Sequence, residues 1–306
     1  MQHLTTLCDL TIPEVEHIFS VTEDLKTKYT AGLREPLLPG RVMALLFEKP
    51  SLRTRVSFES GMSHLGGTSL MLGPETGFGK QRESLGDFGR VLSQYVDVIV
   101  CRAKSHDTVV ELTRHATCSV INGLTDWAHP CQALADLYTL RECVGSLDQK
   151  KMAYVGDGNN VARSLALACG KLGVRMALAA PAGYQFDEKF LALLKSEVPK
   201  LELEMTEDPV TAIAGADAVY TDVWASMGQE KEKEERQRVF ATYQVNTELM
   251  AHAPERACFM HCLPAHRGEE VTDQVMDSPE SIVVQQAANR MHVQKGVLAW
   301  LLGGQA

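Results

Sequence analysis

Short apolar runs alternate with longer amphipathic stretches along this chain. Runs rich in β-branched and other apolar residues occupy 41–47, 68–72, 97–102 and 119–122. A second series follows at 151–155, 174–181, 216–222, 257–261 and 281–284. Between them, apolar positions recur at helical spacing over 54–65, 83–94, 130–143 and 161–172, and again over 286–302 with no strand after it. Continuous apolar runs separated by amphipathic helices are the signature of βαβ units, whose strands are buried on both faces and pair in parallel. The pattern predicts an α/β fold: two doubly wound domains with mainly parallel sheets, joined by interdomain helices. The Gly145–Ser146 turn marks the boundary, giving a domain over 1–146 and a second over 147–285, with the terminal helix 286–306 expected to pack back on the first.

Composition narrows the function. A length of 306 residues suits two domains of ordinary size. Lys plus Arg is 30 against 39 Asp plus Glu, a net charge of −9, so neither nucleic acid nor an anionic membrane is expected as a partner. No apolar run approaches a membrane span, and the start MQHLTTLCDLT has neither the basic nor the apolar region of a secretion signal. The eight cysteines include no CxxC pair, so neither a zinc ribbon nor a dithiol redox site is suggested, and reduced thiols in a cytoplasmic protein are expected.

In parallel α/β sheets ligands sit beyond the carboxyl ends of the strands, so the residues that follow each strand carry the information. After 41–47 comes Ser51-Leu52-Arg53-Thr54-Arg55. Ser51 is a natural N-cap, and a helix start with two arginines and two hydroxyls favours a phosphate; a capped helix with a solvated basic turn is the plainer reading. Arg102 ends the third run, where it could serve a site or a surface ion pair. His129-Pro130-Cys131-Gln132 follows the fourth, placing His129 and Gln132 on one side of a helix start. Together these three strand ends could hold an oxyanion with a carbonyl beside it.

The second half starts with Gly156-Asp157-Gly158-Asn159-Asn160-Val161, which has two glycines of a dinucleotide fingerprint but Val161 for the third, and no acidic residue after the next strand. A nicotinamide site is therefore set aside, leaving amides suited to a small carboxylate or amino group. Asp222-Val223-Trp224-Ala225-Ser226-Met227-Gly228 offers a counter-ion for an ammonium and a loop able to close. The run from Glu230 to Arg238 reads as a solvated helix face with i,i+4 ion pairs and no catalytic part. His261-Cys262-Leu263-Pro264-Ala265-His266-Arg267-Gly268-Glu269-Glu270 lacks the paired spacing of a zinc site. It reads as a strand-end thiol with backbone carbonyls, Arg267 and the two glutamates being a possible surface cluster. Arg290 opens the last helix and could reach back to an anion.

The order and spacing of these segments resemble the aspartate/ornithine carbamoyltransferase family over essentially the whole chain. Ser51-x-Arg53-Thr54-Arg55 resembles its carbamoyl phosphate motif and His129-Pro130-x-Gln132 its His-Pro-x-Gln motif. Asp222-x-Trp224-x-Ser226-Met227-Gly228 and His261-Cys262-Leu263-Pro264 are similar to the ornithine branch. The resemblance implies that Ser51, Leu52, Arg53, Thr54, Arg102, His129, Gln132 and Arg290 hold carbamoyl phosphate. Asn160, Asp222, Ser226, Met227, Cys262 and Leu263 would hold L-ornithine, and Arg102, His129, Asp222 and Cys262 would serve catalysis. It further implies a homotrimer and transfer of the carbamoyl group to the side-chain amine, giving L-citrulline and phosphate without a cofactor or covalent intermediate. Other readings are a carbamoyltransferase for N-acetylornithine or putrescine, or a non-catalytic homologue. Three positions depart from the family pattern. Leu52 stands where Thr is usual, and Ala288 replaces a common Glu. Phe78 lies where Gln or His is common in a loop reaching a neighbouring subunit, with Lys80, Gln81 or Arg82 as substitutes.

Overall fold

A computed structural model of the chain describes residues 2–76, 78, 83–225 and 230–303. The chain divides into two compact units, one made of Met1–Leu134 with Arg290–Ala306, the other of Ala135–Asn289.

The first unit contains strands β1 (Val42–Phe47), β2 (Thr68–Leu72), β3 (Val98–Arg102) and β4 (Ser119–Leu124) in the order β2-β1-β3-β4, every pair parallel. Helices α1 (Ile12–Thr30), α2 (Leu52–His64), α3 (Leu85–Leu92) and α4 (His106–His115) accompany them. Each of these helices begins on a hydroxyl N-cap: Thr11, Ser51, Ser84 and Ser105 accept from the first-turn amides. In the second unit β5 (Lys151–Val155), β6 (Arg175–Ala179), β7 (Leu203–Thr206), β8 (Ala218–Thr221) and β9 (Cys258–His261) take the order β7-β6-β5-β8-β9, again parallel throughout. Its helices are α6 (Asn160–Lys171), α7 (Glu188–Glu197), α8 (Pro209–Ile213), α9 (Lys233–Phe240), α10 (Thr247–Met250) and α11 (Asp273–Met276). Two long helices, α5 (Pro130–Val144) and α12 (Val283–Leu302), carry the chain from one unit to the other.

The two-sheet parallel α/β expectation is met, with one exchange of strands. The 281–284 run is not a strand. Ser281 makes one isolated bridge to Phe259, and the helix α12 begins at Val283, so the apolar pair that looked like a strand is a helix start. The fifth strand of the second sheet is instead β7, an edge strand of four residues carrying an exposed Glu204. Its short, charge-interrupted sequence suits a sheet edge and gives little strand signal.

Both sheets use the same clamp at the amino ends of their strands. Asp97, just before β3, accepts from the Val42 amide at 2.8 Å and from Arg41 Nη1 at 2.7 Å. Asp217, just before β8, accepts from the Lys151 amide at 3.0 Å and from Lys150 Nζ at 3.1 Å. Each aspartate ties the central strand to the neighbour across which strand order reverses. Cores of aliphatic and aromatic side chains lie against each sheet, around Ile99, Val109 and Phe78 in the first unit and around Val155, Trp224, Phe240 and Phe259 in the second.

Within the first unit the C-terminal part of α12 lies close against α1. A Cβ added at Gly296 would meet the Thr22 hydroxyl and, at 2.7 Å, the Ile18 carbonyl. Gly296→Ala should therefore force α1 and α12 apart, lowering stability by about 1–3 kcal/mol, as overpacking does. Thermal denaturation should show a midpoint several degrees lower; an unchanged midpoint would mean that the two helices yield freely.

Candidate functional site

Polar side chains gather where strand order reverses in each sheet. In the first unit the order β2-β1-β3-β4 turns at the β1–β3 pair, a place where parallel sheets open a crevice beyond the strand ends. The two ends are bolted together: the Glu48 amide donates to the Arg102 carbonyl at 2.9 Å, and Glu48 Oε2 accepts from the Lys104 amide at 2.6 Å.

Ser51 caps α2, its hydroxyl accepting from the Thr54 amide at 3.4 Å and donating to Thr54 Oγ1 at 3.1 Å. Thr54 is buried, and its Oγ1 also receives Arg290 Nη2 at 3.0 Å and Arg102 Nη1 at 3.4 Å. One hydroxyl thus gathers residues from α2, β3 and α12. Arg102 Nε is buried with no hydrogen-bond partner. Burial, with the Arg290 and Arg53 guanidiniums close by, pulls Arg102 down to about 10. Guanidiniums converging in this way favour an anion between them. Leu52 is 76% exposed, so its side chain adds nothing to this cluster. Arg55 also points elsewhere, pairing with Glu59 at 3.0 Å on the exposed side of α2.

His129 enters the same neighbourhood on the loop after β4. Asn122 Nδ2 donates to the carbonyls of Thr5 and Ala128 and to Thr125 Oγ1, fixing the turn that precedes His129. The His129 carbonyl then accepts from the amides of Gln132 and Ala133 as α5 begins on Pro130. Both His129 and Gln132 are buried. Burial first, then Arg290 and Arg102, hold the His129 imidazole well below its usual pKa, so it is neutral near pH 7. The Cys131 thiol, pushed up to about 12 by burial, stays protonated.

In the second unit the order β7-β6-β5-β8-β9 turns at the β5–β8 pair. Gly156 leaves β5 with φ +143°, a conformation that disfavours a side chain. Asn159 caps α6, its Oδ1 accepting from the amides of Val161 and Ala162 and, at 3.3 Å, from the Tyr154 hydroxyl. Its Nδ2 donates to Asp222 Oδ2 at 2.9 Å. Asp222 Oδ1 accepts the Val223 amide at 2.8 Å and the Cys262 thiol at 3.0 Å. Burial, then the Asp222 carboxylate, push the Cys262 pKa well up, so the thiol keeps its proton and acts as a donor. Asn160 is buried beside Asn159 at the start of α6.

Leu263 follows Cys262 with φ +59°, a strained position for a side chain bearing a Cβ. Its amide donates to His261 Nδ1 at 2.8 Å, so Nε2 carries the ring proton toward Glu270 Oε1 at 3.2 Å. The His261 amide donates to Gln286 Oε1, and Gln286 Nε2 donates to Asp136 Oδ1 at 2.7 Å. The Tyr220 hydroxyl takes the other oxygen of Asp136 at 3.0 Å. Glu270 therefore belongs to the interior rather than to a surface cluster, whereas Arg267 is at the surface, paired with Asp273 and Asp277. Asp222, His261 and Cys262 lie near enough for a metal, but hydrogen bonds account for each of their polar atoms.

The first unit thus brings together Ser51, Thr54, Arg102 and Arg290, with Arg53, His129 and Gln132 around them; the second brings together Asn160, Asp222, Cys262 and Leu263. Ser226, Met227 and Gly228 lie outside the described residues, as do Lys80, Gln81 and Arg82. Phe78 is buried in the first core against Phe88. Two residues that matter here, Asp157 and Arg236, carry no site signal in the sequence, and Asn159 is marked there only as one of an amide pair. Asn159 binds Asp222 directly, and Asp157 pairs at 2.6 Å with Arg236, whose spacing predicts a solvated face. The Glu232–Arg236 pair expected there does form, at 2.9 Å. Arg236 is nevertheless buried, a change of side that only the position of α9 reveals.

An arginine cluster around a buried hydroxyl at one switch point and a carboxylate-centred polar cluster at another define a two-unit parallel α/β protein with polar strand ends in both units. The aspartate/ornithine carbamoyltransferase carbamoyl-P binding domain matches residues 2–142, and the Asp/Orn binding domain of the same family matches residues 148–301. The ornithine carbamoyltransferase of Pyrococcus furiosus described as anabolic is 49% identical over 303 residues, 98% of this chain and 96% of that protein. That of Anoxybacillus flavithermus is 50% identical over 299 residues, 97% and 95% of the two chains. A solved structure of the Pyrococcus furiosus enzyme superimposes with a TM-score of 0.96 at 48% identity, covering 100% of this chain and 98% of that one. The chain belongs to the aspartate/ornithine carbamoyltransferase family.

Inorganic phosphate bound among Arg53, Arg102 and Arg290 should raise the proton affinity of His129, because a nearby anion favours the imidazolium. An NMR titration of His129 with and without phosphate should show its pKa moving up. An unchanged titration would mean that no anion settles there.

Proposed function

We propose that this protein is an ornithine carbamoyltransferase, forming L-citrulline and phosphate from L-ornithine and carbamoyl phosphate. The observation that carries the reading is that each unit holds a cluster of its own character: arginines around the buried Thr54 in the first, and in the second a buried carboxylate, Asp222, held by the neutral donors Asn159 and Cys262. Full-length similarity to proteins named for this activity supports it.

Carbamoyl phosphate is an activated acyl donor. The ornithine side-chain nitrogen attacks its carbonyl carbon, the new C–N bond forms, and the C–O bond to phosphate breaks. The departing phosphate takes the proton that the amine loses, so no dedicated base is required. Ser51, the Leu52 backbone, Arg53, Thr54, Arg102 and Arg290 hold the phosphate through charge-assisted hydrogen bonds. His129, neutral and therefore a directed hydrogen-bond donor, acts with Arg102 on the carbonyl oxygen where negative charge develops, and Gln132 holds the carbamoyl group. Asn160, Asp222, Ser226, Met227, Cys262 and Leu263 hold ornithine, with Asp222 and Cys262 orienting its amino groups. Alignment of the two substrates supplies the rest of the rate enhancement.

A homotrimer in the cytoplasm belongs to the same proposal. The exposed apolar side chains of Leu52, Val56, Leu70, Val91 and Tyr95 in the first unit offer surface for such an assembly to cover. Light scattering of purified protein measures the mass.

The primary test is citrulline formation by purified protein from carbamoyl phosphate and L-ornithine, with N-acetylornithine, putrescine and aspartate in parallel. Turnover of L-ornithine above the others is expected, and turnover of another amine alone would overturn the substrate assignment. His129→Ala should lower kcat by about 10²–10³-fold, the size of losing one oxyanion donor, while donor affinity changes far less. The reverse pattern would remove the role given to His129.

A further inference from the structure

Two carboxylates, the half-buried Asp157 and the buried Asp222, flank Asn159 at the mouth of the second sheet. Resting on the ornithine reading above, we propose that Arg236 is a positioning residue for the amino-acid substrate. Its guanidinium neutralises Asp157, ties the loop after β5 to the loop after β8, and so leaves Asp222 to meet the substrate's ammonium.

The geometry is specific. Arg236 Nη1 donates to Asp157 Oδ2 at 2.6 Å and to the Trp224 carbonyl at 3.0 Å, so a single nitrogen joins the two loops. Nε turns the other way, to Glu232 at 2.9 Å, and the guanidinium carbon lies 5.1 Å from the centre of the Tyr184 ring. The side chain is only 7% exposed although it sits in the most highly charged stretch of the chain. What it holds is connected to Asp222 twice over. Trp224 lies two residues after Asp222, and the Asp157 carbonyl accepts the Asn159 amide at 2.7 Å, while Asn159 in turn binds Asp222.

Charge adds a reason for a cation here. Without Arg236, Asp157 would lose its direct cation partner while standing half-buried near Asp222, and either compete for the substrate's ammonium or take up a proton. Burial already pushes the Asp157 carboxyl up, and Asp222 pushes it the same way, while Arg236 and the more distant Arg163 oppose them. The charged and titratable groups around Asp157 are therefore Arg236 on α9, Arg163 on α6, Asp222 after β8 and Tyr154 on β5.

The test compares wild type with Arg236→Gln, Arg236→Lys, Asp157→Asn and the Arg236→Gln/Asp157→Asn double variant, measuring kcat and both KM values from pH 6 to 9. Arg236→Gln should raise the KM for ornithine about tenfold or more while the KM for carbamoyl phosphate stays within about twofold. In that variant alone the ornithine KM should improve as pH falls, because protonation removes the stranded charge of Asp157, and Asp157→Asn should abolish this extra step. The double variant should recover at least about threefold of the loss, the coupling expected of residues in direct contact. Arg236→Lys, which keeps the charge, should fall between wild type and Arg236→Gln. A parallel rise of both KM values, or no recovery in the double variant, would reduce Arg236 to a structural residue and overturn the proposal. Should the wild type prove to use another amine, the ornithine reading falls by itself, and the same split of KM values measured with that amine decides the role of Arg236.

Discussion

Parallel pairing of every strand is the constraint from which the rest of this structure follows. Because all strands of a sheet run the same way, each releases the chain at the same edge, and every loop that follows a strand meets its fellows there. The order β2-β1-β3-β4 puts the Ser51 turn beside Arg102, and β7-β6-β5-β8-β9 puts the Gly156–Asn160 loop beside Asp222. Chemistry scattered over the sequence is thus collected by strand order alone. The opposite edges carry the matching structural device, Asp97 and Asp217 holding the first amides of β1 and β5. Each unit therefore divides its polar residues between an edge that fixes register and an edge that is free to bind.

The two binding edges solve opposite electrostatic problems. In the first unit, cations converge on a buried hydroxyl, Arg102 is pulled down, and His129 is held neutral by burial and by the arginines themselves. A neutral imidazole is a more selective donor than a cation, since it directs a proton without adding to the charge around it. In the second unit, a buried carboxylate is surrounded by donors that carry no charge: an amide side chain, a backbone N–H and a thiol. Burial and the Asp222 carboxylate together keep the Cys262 thiol protonated. In each unit the group that would otherwise cancel the site's charge is replaced by a neutral hydrogen-bonding partner.

Much of this was legible in the sequence because it depends on what directly follows a strand. Ser51-x-Arg53-Thr54, Arg102, His129, Asp222 and Cys262 all stand at strand ends, where polar residues interrupt an apolar run and draw attention. Features that depend on where a segment lands were not legible. Arg236 has the spacing of a solvated helix face, and only the packing of α9 turns it inward to Asp157. Strand β7 pairs at an edge through its backbone, which needs no apolar run, whereas 281–284 leads into the helix α12 with Val283 buried and Val284 exposed. Arg55 has the same composition cues as Arg53 but lies on the other side of α2, against Glu59. Asn159 was read with Asn160 as an amide pair, but nothing in the spacing says that one caps the helix and holds Asp222.

Thr54 shows how far such an arrangement reaches along the chain. Its hydroxyl is met by Arg102, 48 residues on, and by Arg290, 236 residues on. Arg290 belongs to the stretch of α12 that returns to the first unit, and further along the same helix Gly296 lies against Thr22 and Lys295 Nζ reaches the Leu25 carbonyl. The anion cluster is therefore assembled only when the last helix has docked on a helix near the start of the chain. Bringing like-charged guanidiniums together costs free energy, which the docking of α12 must supply. A bound phosphate would return part of that free energy by binding the docked state and not the undocked one. The placement of Arg290 on the returning helix thus makes assembly of the Thr54 cluster and closure of the first unit one thermodynamic event, although its members lie far apart in the sequence.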